Sequence, residues 1–185
     1  MNSIFKPLLM KFVLVFFDDI LVYSRSWFEH QQHLRVVLLI LREQQLYAKK
    51  SKCCFGTSQI EYLGHVLQKG TISMDRTKVE CISFWPLPQS VKELRSFLGL
   101  SGYYRRFIRN YGLLARPLTE LLTKNAWQWS AQAIEAFQAL KAALCTAPVL
   151  ALPNFQLEFM VDTDASAFGI GAVLQQQGRL VAFFS

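Results

Sequence analysis

The stretch Phe12-Val13-Leu14-Val15-Phe16-Phe17-Asp18-Asp19-Ile20-Leu21-Val22-Tyr23-Ser24 sets two adjacent carboxylates between two apolar runs. Aspartate is depleted in strands and common in turns. The pattern therefore predicts strand, acidic turn, strand: runs Phe12–Phe17 and Ile20–Tyr23 with Asp18 and Asp19 at the tip of a β-hairpin. Two readings of that tip stand side by side. One is a solvated hairpin turn. The other is a divalent-metal platform, because hard cations such as Mg²⁺ take carboxylate oxygens and phosphoryl-transfer sites hold metals with a few aspartates.

Composition bounds what surrounds the hairpin. At 185 residues the chain can form one domain or two small ones. A hydrophobic fraction of 52% argues against disorder. The longest apolar runs, such as Val36–Leu41, are far too short to span a membrane, and no secretory leader is expected, so the expected location is intracellular. Cys53, Cys54, Cys81 and Cys145 lack metal-ligand spacing and are read as reduced thiols. The net charge of +7 favours an anionic partner or reflects ordinary solvation of a basic surface. Its distribution favours the former. Lys92, Arg95, Arg105, Arg106, Arg109, Arg116 and Lys124 are opposed only by Glu93 and Glu120, and Phe97, Tyr103, Tyr104, Phe107 and Tyr111 interleave with them. Cations for phosphates and aromatics for sugars or bases are how nucleic-acid surfaces are commonly built.

Along the chain, Ser26 and Glu29 form a capping box ahead of a stripe at Leu34, Val37, Leu38 and Leu41, the period of an amphipathic helix. His30 and His33 near its start read as surface polar residues. Lys49, Lys50 and Lys52 form a basic cluster. Glu61–Leu67 reads as a strand, Gln68-Lys69-Gly70 as a turn, Thr71–Met74 as a second strand and Asp75–Phe84 as a short helix. Trp85-Pro86-Leu87-Pro88 breaks it, since proline lacks a backbone donor. Ser90 and Glu93 open a helix through about Ser101, with Val91, Leu94 and Leu98 inward. Gly99 and Gly102 thin one face, for close approach of nucleic-acid backbone or for helix–helix packing. Further helices are expected at Tyr103–Tyr111, Leu118–Leu122 and Ala131–Leu144. Alternation at Leu157, Phe159 and Val161 predicts a strand ending at Thr163-Asp164-Ala165-Ser166, followed by strands at Phe168–Leu174 and Leu180–Phe184 around a Gln177-Gly178 turn.

Several of these segments together resemble a known family. The hairpin Phe12–Ser24 resembles the catalytic hairpin of reverse transcriptases. Tyr62-Leu63-Gly64-His65, Glu93–Gly99, Gly102–Phe107, Pro117–Leu122, Ala147–Leu150, Thr163–Ser166 and Gly169–Leu174 resemble, in order, the Pol polyprotein of Ty3/gypsy-type LTR retrotransposons. The resemblance implies an α+β chain. Its parts would be partial reverse-transcriptase palm hairpins with a primer grip (1–87), a helical thumb and connection (88–150) and the first strands of an RNase H-like sheet (151–185).

It also implies site roles. Asp18 and Asp19 would be two of three polymerase carboxylates holding two Mg²⁺ ions. Asp164 would be the first catalytic and metal-binding aspartate of RNase H, with Asp162 a neighbour on the same face. The hairpin Leu63–Met74, with Gly64 and His65, would position the primer end. Arg95, Gly99, Tyr103, Arg105 and Arg106 would lie against the template–primer. Expected partners are an RNA template, a DNA primer, their RNA–DNA hybrid and the rest of a Pol polyprotein, with no membrane. Phe16 stands where the family usually has tyrosine; it keeps the ring and loses the hydroxyl, which bears on activity or fidelity. No residue before Asp18 is acidic, and the later RNase H carboxylates would lie beyond Ser185. Met1–Phe5 resembles an internal family segment. The chain by itself is therefore expected to carry part of each active site and to be inactive alone. The alternatives are a non-catalytic nucleic-acid-binding remnant and a decayed reading frame with no selected role.

Overall fold

The computed structural model describes residues 1–166 and 169–185, and these form two compact units, Met1–Tyr62 and Leu63–Ser185. Among the described residues no helix is long and apolar enough to cross a membrane.

The first unit contains a short helix α1 (Asn2–Phe5), strands β1 (Val13–Phe16) and β2 (Asp19–Val22), helix α2 (Trp27–Glu43), a 3-10 turn at Lys50–Lys52 and strand β3 (Gln59–Tyr62). β1 and β2 pair antiparallel with Val13 opposite Val22 and Phe16 opposite Asp19. The connecting loop is thus Phe17-Asp18, so the predicted tip shifts by one residue and Asp19 already belongs to a strand. Two-residue hairpin loops need positive φ to match the strand twist, and Phe17 supplies it at φ 52. Ser26 caps α2 by accepting from the Glu29 amide at 3.2 Å, while Glu29 Oε2 accepts from the Arg25 amide at 3.1 Å. Phe5, Val13, Val37 and Leu41 form the core. Of the predicted stripe, Val37 and Leu41 are buried, Leu34 is half-buried and Leu38 is exposed.

In the second unit, β4 (His65–Gln68) and β5 (Thr71–Met74) form a hairpin, and β6 (Leu150–Ala151) adds to β5. The connecting Lys69 and Gly70 both have positive φ, as a two-residue turn demands. The expected continuous strand Glu61–Leu67 is interrupted: β3 stops at Tyr62 and β4 starts at His65, because Leu63 (φ 51) and Gly64 (φ 70) adopt left-handed backbone. Asp75 caps α3 (Arg76–Ser83) by accepting from the Thr77 amide at 2.8 Å.

Helix α4 (Val91–Tyr103) is capped by Ser90. The helix expected over Tyr103–Tyr111 does not form. Tyr103 closes α4, Arg105–Phe107 is a 3-10 turn, and Asn110 turns the chain at φ 56 into α5 (Tyr111–Glu120). α5 runs through Pro117, where a break was expected. Burial of Ala115 and Leu118 on the side that packs against α6 (Ala131–Cys145) outweighs the missing donor. Ala133, Ala136, Phe137, Leu140 and Leu144 line the inner face of α6.

The last sheet is antiparallel, β7 (Met160–Ser166), β8 (Gly169–Gln176) and β9 (Arg179–Phe184). β7 starts three residues later than the alternation from Leu157 predicts. The buried Gln176 side chain accounts for this: Nε2 donates to the carbonyls of Asn154 (2.8 Å), Leu157 (3.1 Å) and Glu158 (3.3 Å), holding that segment as a loop. Phe168, expected at the start of the second strand, lies outside the described residues.

Candidate functional site

The acidic turn sits in the first unit. Asp18 lies in the turn and Asp19 opens β2, and both are exposed. The Phe16 and Phe17 rings meet edge to face at 4.7 Å, and Phe17 remains largely exposed. A bulky residue in left-handed backbone is an outlier that costs about 1–3 kcal/mol, so the turn holds its aspartates at the expense of local strain. The Tyr62 hydroxyl is pushed up, first by burial and then by the Asp19 charge. Asp18 and Asp19 present hard oxygen donors on one exposed turn, a donor set that fits a divalent cation. Among the described residues no group of three or more His, Cys, Asp or Glu side chains is gathered as a metal site.

Asp164 lies in the second unit, exposed on β7 opposite Gly171. Asp162, two residues earlier on the same face, accepts a 2.7 Å hydrogen bond from Gln175 Nε2.

The expected nucleic-acid residues divide into three groups. Gly64, His65, Tyr103 and Arg106 come together. Tyr103 donates to the Leu63 carbonyl at 2.6 Å, and Tyr104 donates to the Gly64 carbonyl at 2.8 Å. His65 Nδ1 is 2.8 Å from the Leu63 carbonyl. Its ring packs among Tyr103 (5.3 Å), Tyr104 (5.4 Å) and Phe107 (5.7 Å), and Arg106 lies over Phe107 at 5.1 Å. A carbonyl can only accept, so His65 Nδ1 carries the proton, and its buried Nε2 has no hydrogen-bond partner among the described residues. Burial lowers the His65 pKa; the Leu63 hydrogen bond opposes this and the Arg106 charge adds to it. Tyr104, at 1% exposure, is pushed up to about 12 by burial and then by Tyr103 and Asp75, so its hydroxyl is a donor near neutral pH.

Arg95 and Gly99 form the second group, with Lys92 and Ser96, on the exposed side of α4. Among the described residues, a Cβ at Gly99 would meet nothing within 4 Å, so no described helix packs there. Arg105 stands apart in a shallow cleft with Arg106, Tyr111 and Phe183–Ser185.

The interleaved aromatics need correction. Phe97, Tyr104 and Phe107 are buried, Tyr111 is half-buried and Tyr103 is exposed. Leu94, Phe97, Ser101 and Tyr104 recur at the helical period and face inward. That period was the available signal for Tyr104 as a structural partner rather than a surface aromatic.

With this geometry in hand, comparison with known proteins is direct. Residues 1–67 match the family Reverse transcriptase (RNA-dependent DNA polymerase), and residues 129–185 match the RNase H-like domain found in reverse transcriptase. The chain is 41% identical over 187 residues to the retrovirus-related Pol polyprotein from transposon 297 of Drosophila melanogaster, covering 100% of this chain and 18% of the polyprotein. It is 33% identical over 198 residues to the Pol polyprotein from transposon gypsy of the same organism, covering 100% of this chain and 19% of that one. An uncharacterized mitochondrial protein of Arabidopsis thaliana is 52% identical over 130 residues, which are 69% of this chain and 82% of that protein. Among solved structures, the foamy viral protease-reverse transcriptase in complex with RNA/DNA hybrid superposes with TM-score 0.86 at 22% identity, covering 98% of this chain and 25% of that one. At that identity the likeness shows the fold, which is that of a partial reverse transcriptase and RNase H-like chain. Together these matches support a retrotransposon Pol fragment, with reverse transcriptase sequence over residues 1–67 and RNase H-like sequence over residues 129–185. The chain spans less than a fifth of the length of the Drosophila polyproteins. Reverse transcriptase and RNase H-like families typically use divalent metals.

Proposed function

We propose that this segment serves RNA-directed DNA synthesis and cleavage of RNA in RNA–DNA hybrids as part of a Pol polyprotein. Residues 1–87 act as the end of the palm, 88–150 as thumb and connection, and 151–185 as the start of the RNase H-like domain. Asp18 and Asp19 would hold Mg²⁺, which when bound activates the primer 3′ hydroxyl and stabilises the leaving pyrophosphate. Asp164 would serve the RNase H reaction in the same manner. The outward side of α4, with Lys92, Arg95 and Gly99, receives the template–primer duplex, the cations meeting phosphates and Gly99 admitting the backbone closely. The Leu63–Met74 hairpin, with Gly64 and His65, positions the primer end, and Arg105 and Arg106 extend the basic surface.

The observation that carries this reading is the Phe16–Asp19 register, which puts two adjacent carboxylates on an exposed, strained turn. Asp19→Asn in a Pol polypeptide containing this segment should reduce Mg²⁺-dependent primer extension to background while leaving hybrid binding intact. Unchanged extension would overturn the assignment.

A second reading, binding without catalysis, is favoured for the isolated chain. Asp18 and Asp19 have no acidic residue among the seventeen that precede them, whereas the α4 face and the Leu63–Gly64 turn are assembled within one unit. The isolated chain should bind hybrid and neither extend primers nor cleave RNA; robust extension by it would contradict this.

A further inference from the structure

The Leu63–Gly64 turn exposes two successive carbonyls through left-handed backbone, and both are taken by consecutive tyrosines 40 residues further along the chain. Tyr103 is the last residue of α4 and Tyr104 its C-cap. We infer that Tyr103 and Tyr104 are positioning residues: their hydroxyls fasten the Leu63–Gly64 turn to the end of α4, so that the turn and the nucleic-acid face of α4 are held as one body. This rests on the reading of that face as the hybrid-binding surface.

Three features support it. A Cβ at Gly64 would lie 2.9 Å from Tyr104 Oη, so the residue without a side chain is what lets the hydroxyl reach the carbonyl. Tyr104 is buried, which removes water as an alternative partner for either group. The Gly64 carbonyl also accepts from the Asp75 amide at 3.3 Å, which ties in the start of α3. Tyr103 differs in one respect: its ring is exposed but its hydroxyl is engaged. It therefore does not donate to a phosphate, and its ring face alone is offered to a ligand.

The consequence concerns affinity without a lost contact. Freeing the turn lowers the fraction of chains in the binding-competent arrangement, and apparent affinity falls by that fraction. The number of neutralised phosphates stays the same, so the salt dependence does too. A phosphate-contacting arginine behaves otherwise, since its loss reduces the salt slope by about one.

The test uses the 185-residue chain, an RNA–DNA hybrid and fluorescence anisotropy across a range of NaCl. Tyr104→Phe and Tyr103→Phe should each weaken binding roughly 3- to 10-fold at fixed salt, as expected for one lost hydrogen bond, with the log–log salt slope unchanged. Arg95→Ala should weaken binding and flatten the slope. In parallel, amide hydrogen exchange at Gly64 and His65 should accelerate in Tyr104→Phe while the amides of α6 stay protected. Wild-type affinity in both tyrosine variants would overturn the inference, and so would a slope reduced by one in Tyr104→Phe. If the wild-type chain binds no hybrid, the binding reading fails instead, and the exchange measurement alone decides: unchanged exchange at Gly64 and His65 would still overturn the latch.

Discussion

The imidazole of His33 lies flat on the ring of Phe12, centroids 3.9 Å apart and planes inclined by 6°. The same histidine places Nδ1 2.8 Å from Ser24 Oγ, and His30 Nδ1 reaches that oxygen at 3.3 Å. Phe12 leads into β1 and Ser24 follows β2, so α2 grips both strands of the acidic hairpin at its open end. These histidines, read from the sequence as surface polar residues, are half-buried and engaged with the hairpin. An isolated two-stranded hairpin is marginal in water, and this grip supplies what the short strands lack. His33→Ala should cost about 1–2 kcal/mol of first-unit stability and speed amide exchange across Val13–Val22. His33→Gln, which can still bond Ser24, should fall between the two. Equal exchange in all three proteins would remove the grip from the account.

Gly99 separates two explanations that the sequence leaves equal. Its Cβ position is open, so alanine there gains helix propensity, about 1 kcal/mol, without a clash inside the fold. Gly99→Ala should therefore raise the midpoint of thermal unfolding and weaken hybrid binding in the same protein. A stabilised variant with unchanged affinity would show that nucleic-acid backbone does not approach this position.

At Gly64 the expectation is reversed. Left-handed backbone and the 2.9 Å approach of Tyr104 Oη both penalise a side chain. Gly64→Ala should lose about 1–3 kcal/mol in urea unfolding. A loss well under 1 kcal/mol would mean that the turn yields easily and that the tyrosine contact is loose.

His65 predicts the pH dependence. Its pKa is lowered from the ordinary 6.5 by burial among Tyr103, Tyr104 and Phe107, with Arg106 adding to the shift. In the window below 6.5 the unfolded chain binds the proton more readily than the folded one, so stability rises with pH there. The contribution is complete above 6.5 and is lost as pH falls through the folded value. Unfolding free energy between pH 5 and pH 7 should climb less steeply in His65→Gln than in the wild type. Parallel curves would place the titration elsewhere.

Legibility in the sequence followed the range of the interaction. Ser26 and Ser90 as helix caps, and the Lys69-Gly70 turn, depend on near neighbours and were readable. So was the acidic hairpin, to within one residue of its turn. The partnership of Tyr103 and Tyr104 with Leu63 and Gly64 was not, because nothing local at either end marks a bond spanning 40 residues. The passage of α5 through Pro117 and the late start of β7 were hidden for the same reason. Each is set by burial or by a single distant side chain, Gln176 in the second case, that overrides local preference.

The most direct test of the central claim, that the basic face of the second unit receives a template–primer duplex, is titration of RNA–DNA hybrid with the wild-type chain as salt is varied. Lys92 and Arg95 are exposed on α4, and Arg105 and Arg106 are exposed in the turn that follows it. Four phosphate contacts predict a log–log slope between about −3 and −4, unchanged by Asp18→Asn, because an aspartate neutralises no phosphate. Binding that is undetectable at low salt, or insensitive to salt, would contradict the account.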